Sequence, residues 1–530
     1  MIRFSRLFVL VILCPVLLVL SFVGASRSFA GQNTVGQNAS SNKALSNKAL
    51  NPPMLWLLTL DKMTSAEQAL ALTVQGLANR DQARVWIRTP GMSALLLAEL
   101  QPEGVKIEEL TTVWDAVRQF KAKIKGVIIY KSGTESLNVA TSLCGLMDGV
   151  AIEESLLEEA KAGGLKVLAD ARGMDSKQAF SRYRSQFRRG MAVEQSVDKP
   201  GHLRDYAVAH KAFTYSTTEE AFRTEVAQAF GPDALIFGWG DDEYRFVADT
   251  ARANATTVPA DWLRNLSALE HLPVSKLISP HPAAVATEEG VRYVAFVISD
   301  GDNIQWLCGN FPLDTGFWAS KWRGQFPMSW EVSPILGEVA PRALHYLYAH
   351  ATDKDAFVTG AGVPGYTYPY YQPNKETLAR QAAGYLRASD LSVISVLNAN
   401  EGDMKDTIPL LERPEVAGIL YKDYAPYNKR KGAIFWHKGK PCLAYKFLLW
   451  EGVQSIEEMA QGVAQMPTKP RTDQNSYALI QVHAWSYKNI GGPMEAIHRA
   501  LAQLPPGTRV VTAPALIALL RANFGKTKAN

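Results

Sequence analysis

The sequence predicts an α/β protein, with one or more N-terminal α/β modules followed by a (β/α)8-like barrel that need not be regular. Three observations predict it. Strand-like and helix-like patterns alternate from residue 54 onward, which argues for βα units and largely parallel sheets. Between residues 286 and 525, eight apolar runs recur, most pairs of them separated by a helical pattern. That density matches a barrel of ~250 residues. Finally, 530 residues exceed what one core supports, so more than one domain is expected.

Taken in order, residues 1–30 read as a signal peptide. Arg3 and Arg6 precede an apolar stretch over 7–20, and Ser28-Phe29-Ala30 is a small-x-small ending, placing the mature start near Gly31. An exported, secreted or periplasmic protein is expected, with no membrane span after leader removal. Residues 31–53 are rich in Asn, Ser and Gln and repeat Ser-Asn-Lys-Ala-Leu at 41–45 and 46–50, the pattern of a flexible tether. Residues 54–285 form the N-terminal region. Strands are expected at 55–60, 84–88, 127–130, 166–169 and 235–239. A first helix is capped by Thr64 or Ser65, with Glu67 in its first turn.

Residues 286–525 form the barrel domain. Its strands are expected at 293–298, 326–332, 356–359, 393–397, 416–421, 443–449, 477–482 and 509–511. The sixth is untidy: runs at 434–437 and 442–447 flank Lys438-Gly439-Lys440, a hairpin pattern.

Composition narrows the function. The chain is 20% charged and 47% hydrophobic with net charge +5, and its one short basic tract is Lys429-Arg430-Lys431. Nucleic acid is not an expected partner. Beyond the leader stand Cys144, Cys308 and Cys442, enough for one disulfide at most and without the Cys-x-x-Cys of a structural zinc site.

Parallel barrel strands deliver their chemistry at their C-terminal ends. The first of these ends is the most telling. After the apolar run 293–298 come Ser299-Asp300-Gly301-Asp302-Asn303, then Gln305 and Trp306. Later ends add Trp330 and Glu331, then Tyr366 and Tyr368 in a tyrosine-rich loop. Asn398, Glu401 and Asp403 follow, then Lys422 and Asp423, and finally His483 and Trp485. Carboxylates, amides and aromatics together suit a sugar: polar groups take hydroxyls, flat rings take C–H faces, and two carboxyls cleave a glycosidic bond.

Asp300 and Asp302 are thus the leading catalytic candidates, with Glu401 or Asp423 opposing them. Asn303, Gln305, Trp306, Trp330, Glu331, Tyr366, Tyr368, Asn398, His483 and Trp485 are the expected substrate contacts. Plainer readings stand beside these: an Asp-Gly turn, a helix cap at Asp403, a packed tyrosine loop, a core histidine at 483.

No cofactor is called for, and whether a metal is used stays open. Asp300 and Asp302 with His483 suit a hard cation, which keeps a metal-dependent polysaccharide deacetylase as one alternative. A non-catalytic carbohydrate-binding protein is another. His345 and His350 point about 140° apart on a helix and share no metal face. There is no Gly-x-Ser-x-Gly elbow and no Walker sequence. In the N-terminal region, Gly238-Trp239-Gly240-Asp241-Asp242-Glu243 and Leu203-Arg204-Asp205-Tyr206 read as caps and inter-domain contacts or as an edge of the same cleft.

The stretch Val363-Pro364-Gly365-Tyr366-Thr367-Tyr368-Pro369 resembles the signature of the GxGYxYP putative glycoside hydrolase family, with Val363 at the first Gly position and Gly362 one residue earlier. Gln75-Gly76-Leu77-Ala78-Asn79-Arg80, Leu203-Arg204-Asp205-Tyr206, Ser299 to Asn303, and Arg323-Gly324 through Trp330 to Pro334 resemble it too. The resemblance implies a multi-part N-terminal α/β region, a barrel domain and carbohydrate as substrate. It supplies no catalytic residue, so the candidates above rest on the strand-end argument.

Overall fold

The computed structural model describes residues 51–281 and 283–528. The expected signal peptide, its cleavage point and the tether up to residue 50 lie outside the described residues. Among the described residues, no helix is long and apolar enough to cross a membrane.

The N-terminal region consists of three small α/β units, each with its own parallel sheet. Strands β1 (Met54–Leu58), β2 (Val85–Ile87) and β3 (Lys106–Leu110) pair in the order β2-β1-β3. Thr64 caps the helix after β1, and its exchange of hydrogen bonds with Glu67 completes a capping box. Strands β4 (Gly126–Tyr130), β5 (Gly149–Glu153) and β6 (Val167–Asp170) pair as β5-β4-β6. The third unit holds β7 (Met191–Glu194), β8 (Phe213–Tyr215), β9 (Leu235–Gly238) and β10 (Thr256–Pro259) in the order β10-β9-β7-β8.

Two of the motifs in this region prove to be joints between units. Asn79 bonds the Val85 carbonyl and Ser267 Oγ. Arg204 is fully buried and reaches Asn138 and Thr141, while Asp205 accepts from the Ser267 amide.

The C-terminal domain contains β11 (Arg292–Ile298), β12 (Met328–Val332), β13 (Asp355–Thr359), β14 (Val393–Asn398), β15 (Gly418–Asp423), β16 (Ile434–His437), β17 (Lys440–Ala444), β18 (Phe447–Leu449), β19 (Tyr477–Val482) and β20 (Thr508–Val510). All eight expected strands are present and parallel, but they do not close into one barrel. One sheet runs β13-β12-β11-β19-β18, with β20 also on β11; the other runs β14-β15-β17-β16.

The reason lies at two seams. The expected sixth strand, 443–449, divides at Tyr445-Lys446. The Tyr445 amide donates to Tyr421 in one sheet, and the next amide, of Lys446, donates to Leu479 in the other. Between β13 and β14 a side chain replaces the ladder: the Ser395 amide donates to Thr359 Oγ1 at 3.2 Å. The hairpin β16–β17 is as expected and is the antiparallel pair among these strands. Cys144, Cys308 and Cys442 are all free and buried.

Candidate active site

The loop after β11 is shaped by a close approach. A Cβ at Gly301 would lie 2.1 Å from the Glu331 backbone, so no other residue fits there without shifting β12. This pins Asp300 and Asp302 on either side. Asp300 has φ +68°, a left-handed conformation that Asp tolerates better than most residues. Its carboxylate accepts from Ser299 Oγ and, at 2.9 Å, from Trp485 Nε1.

Asp302 is buried, and no hydrogen bond joins its side chain to another described residue. Burial, with the charges of Asp300 and Glu331 added, pushes its carboxyl well above the usual range. Beneath it, Glu331 bonds Lys422 Nζ and Ser395 Oγ, each at 2.5 Å, so the nearest cation is already committed.

The third N-terminal unit completes the site. The tyrosine loop adds to the edge of its sheet: the backbones of Thr257 and Tyr366 exchange hydrogen bonds of 3.0 and 2.8 Å. This turns Tyr366 toward the helix Glu243–Arg252, where its hydroxyl donates to Glu243 Oε1 at 2.8 Å. Burial chiefly, with the charges of Asp300 and Asp242 added, lifts Glu243 to about 7. Asp300 thus acts on a buried carboxyl from each of two domains, Asp302 and Glu243.

Around them stand rings. Trp485 is 39% exposed and packs on Trp306 at 5.1 Å, while Trp450 stacks on His483 at 4.3 Å and 7°. Burial lowers the His483 pKa, and its Nδ1 lies 2.8 Å from Ser486 Oγ. Tyr427 packs on Trp450 and feels the charges of Asp300, Glu243 and Asp302.

Other expected residues serve elsewhere. Trp330 is 0% exposed and bonds Asp355 at 2.7 Å, so no face of it is free for a sugar; it is core because β12 turns it inward against Phe311 and Trp318. Tyr368 is also fully buried, packed between Tyr244 and Tyr424. Asn398 is buried and spent on the Tyr370 and Ala399 amides, Asp406 and the Tyr421 hydroxyl. Asn303 caps the short helix that carries Trp306. Gln305 accepts from the Trp262 amide and ties the domains together.

Glu401 accepts from Tyr244 and Tyr371, which hold its carboxyl below the usual range and ionised. Asp423 is buried against Arg430. Both carboxylates are thus engaged by neighbouring side chains. Among the described residues no group of three His, Cys, Asp or Glu side chains is arranged to hold a metal, Asp300, Asp302 and His483 included.

Sequence reasoning missed Glu243 as a site residue, though its motif was legible. Asp242 caps the helix and Asp241 pairs with Arg223, as a plain reading expects. The next carboxylate belongs to the cleft.

Domain models of one family match almost the whole described chain. The GxGYxYP_N first domain matches 54–122, the GxGYxYP_N second domain 124–187, the GxGYxYP third domain 189–271, and the GxGYxYP putative glycoside hydrolase C-terminal domain 290–521. No curated protein matches. A crystal structure of a putative hydrolase from Bacteroides thetaiotaomicron VPI-5482 superposes with a TM-score of 0.80 at 27% identity, covering 89% of this chain and 95% of that one. With all four domains matched in order, this chain belongs to the GxGYxYP family.

Proposed function

We propose that this protein hydrolyses glycosidic bonds in the cleft where its third N-terminal unit meets the C-terminal domain, and that it does so outside the cytoplasm. One observation carries the reading: Asp300, fixed by Trp485 and Ser299, acts on two carboxyls whose protonated forms burial favours, Asp302 and Glu243. Glycoside hydrolysis needs one ionised and one protonated carboxyl.

Asp300 is the base or nucleophile. Glu243 is the acid, because about 7 is close to an ordinary working pH, where an acid both holds and releases its proton. Tyr366 orients Glu243 through Oε1, which leaves Oε2 to carry the proton toward the leaving oxygen. Asp302 keeps its proton and acts as a hydrogen-bond donor. Trp485 offers its exposed ring to a pyranose face.

The test is a glycan library assayed together for new reducing ends and for acetate. Reducing ends from wild type and none from Asp300→Asn support hydrolysis. Acetate release that a chelator abolishes would transfer the site to deacetylation.

A further inference from the structure

One cavity lies away from Asp300. It measures about 650 Å³ and lies between the second and third N-terminal units. Its walls come from the C-terminal ends of parallel strands: Glu194 ends β7, Ser216 to Glu219 follow β8, and Trp239 to Asp241 follow β9. In the order β10-β9-β7-β8, the chain leaves β7 in one direction for β8 and returns on its other side for β9. Open α/β sheets bind ligands at such a reversal. The strand ends are drawn together there, since a Cβ at Gly238 would fall 1.8 Å from the Glu194 carbonyl oxygen.

The chemistry of the walls selects the ligand. Lys177 is paired with Glu219 at 2.7 Å and Lys199 with Asp261, so no lining lysine is left for an anion. Glu194 and Asp241 are paired with Arg223, Glu135 and Asp175 add negative charge, and Ser and Thr hydroxyls fill much of the remainder. Ser176 is 1% exposed and lines the cavity, and its hydroxyl has no partner. A buried unpaired hydroxyl is costly, and a ligand hydroxyl relieves that cost.

Two chains of contacts join the walls of this cavity to the cleft. Trp239 lines it and stacks on Tyr366, which bonds Glu243. Lys199 lines it and lies 4.4 Å from the ring of Trp262, whose amide bonds Gln305 beside Trp306. Trp262 is 53% exposed.

We infer that this cavity is a second carbohydrate site, holding neutral sugar units of the same chain that the cleft cuts. The inference rests on the glycosidase reading and extends it to polymeric substrates. It is tested with the full chain and two variants. Thr218→Trp fills the cavity from an exposed position, and Ser176→Ala removes the unpartnered hydroxyl. Neither residue belongs to the cleft.

On neutral oligosaccharides of two to eight units from the cleaved glycan, Thr218→Trp is expected to raise KM for the longest about tenfold, the loss of roughly one good contact. Ser176→Ala should raise it about threefold to tenfold, one hydrogen bond. In both, kcat and all constants for disaccharides stay at wild-type values. Unchanged KM for the longest substrates, or an equal rise at every length, overturns the inference.

If the wild type cleaves no glycan, the cleft reading fails and binding decides the cavity. Retardation in gels containing mannan, xylan or laminarin that Thr218→Trp abolishes supports the cavity. Retardation unchanged by the variant, or none at all, overturns it.

Discussion

Two carboxylate clusters sit a short distance apart in the chain and are built in different ways. In the third unit, Glu194, Asp241 and Asp249 gather around Arg223, whose guanidinium also reaches the Thr217 carbonyl. In the cleft, no ion pair joins Asp300, Asp302 or Glu243 to a Lys or Arg among the described residues, and Lys422 is bound to Glu331. The first cluster is a neutralised brace. In the second, burial chiefly, with the charge of Asp300 added, favours the protonated forms of Asp302 and Glu243. Shifts of this kind mark catalytic carboxyls, although structural networks also perturb titration.

Replacing Asp300 should widen that contrast most. Asp300→Asn is expected to lower turnover on the true substrate by about 10²–10⁴-fold, the scale of acid–base assistance, with Tm within a degree or two of wild type. Near-full turnover, measured beside thermal melting, would return Asp300 to a turn residue.

Arg223→Met should do the reverse. It strands Glu194 and Asp249 in the interior, at a cost of about 3–5 kcal/mol in denaturant unfolding. The loss should be larger at pH 8 than at pH 5, since protonation relieves the stranded carboxylates.

Glu243→Gln tests the acid itself. The protonated form of Glu243 is the active one, so wild-type activity should fall as pH rises through about 7. The variant should lose that limb together with most of its rate. The stability sign follows from the same shift. The folded pKa is raised, so the contribution of Glu243 is full below its unfolded value and lost as pH rises through about 7. Glu243→Gln should therefore melt above wild type at pH 8 and level with it at pH 4. A pH profile identical to wild type would move the acid to Asp302.

Trp485→Ala is the smallest change. It removes an exposed ring and one hydrogen bond to Asp300, and should raise KM by about tenfold. A larger fall in kcat than rise in KM would show that positioning Asp300 is its main task.

Much of this architecture was legible in residue order. Buried parallel strands announce themselves as apolar runs, and every run expected in the C-terminal domain is a strand. Closure was not legible, because it depends on which sheet each amide of Tyr445-Lys446 chooses, and local pattern carries no such information. The Asp300 loop was readable for the reason that it is polar directly after a buried strand. Trp330, Tyr368 and Asn398 misled, since strand ends point both into a cleft and into a core, and only packing separates the two. Glu243 was hidden by its neighbours, whose capping and pairing explain the motif without it.

The hydrogen bond from Tyr366 to Glu243 has a consequence for modularity. The acid and the base of the proposed reaction belong to different domains of one polypeptide, and the bridge between Thr257 and Tyr366 at the edge of β10 sets their relative placement. The catalytic domain cannot then be transplanted as a cassette, since residues 286–525 alone would carry half the chemistry. Shifting the third unit by an ångström would also act as a throttle, on the order of 10²-fold in rate.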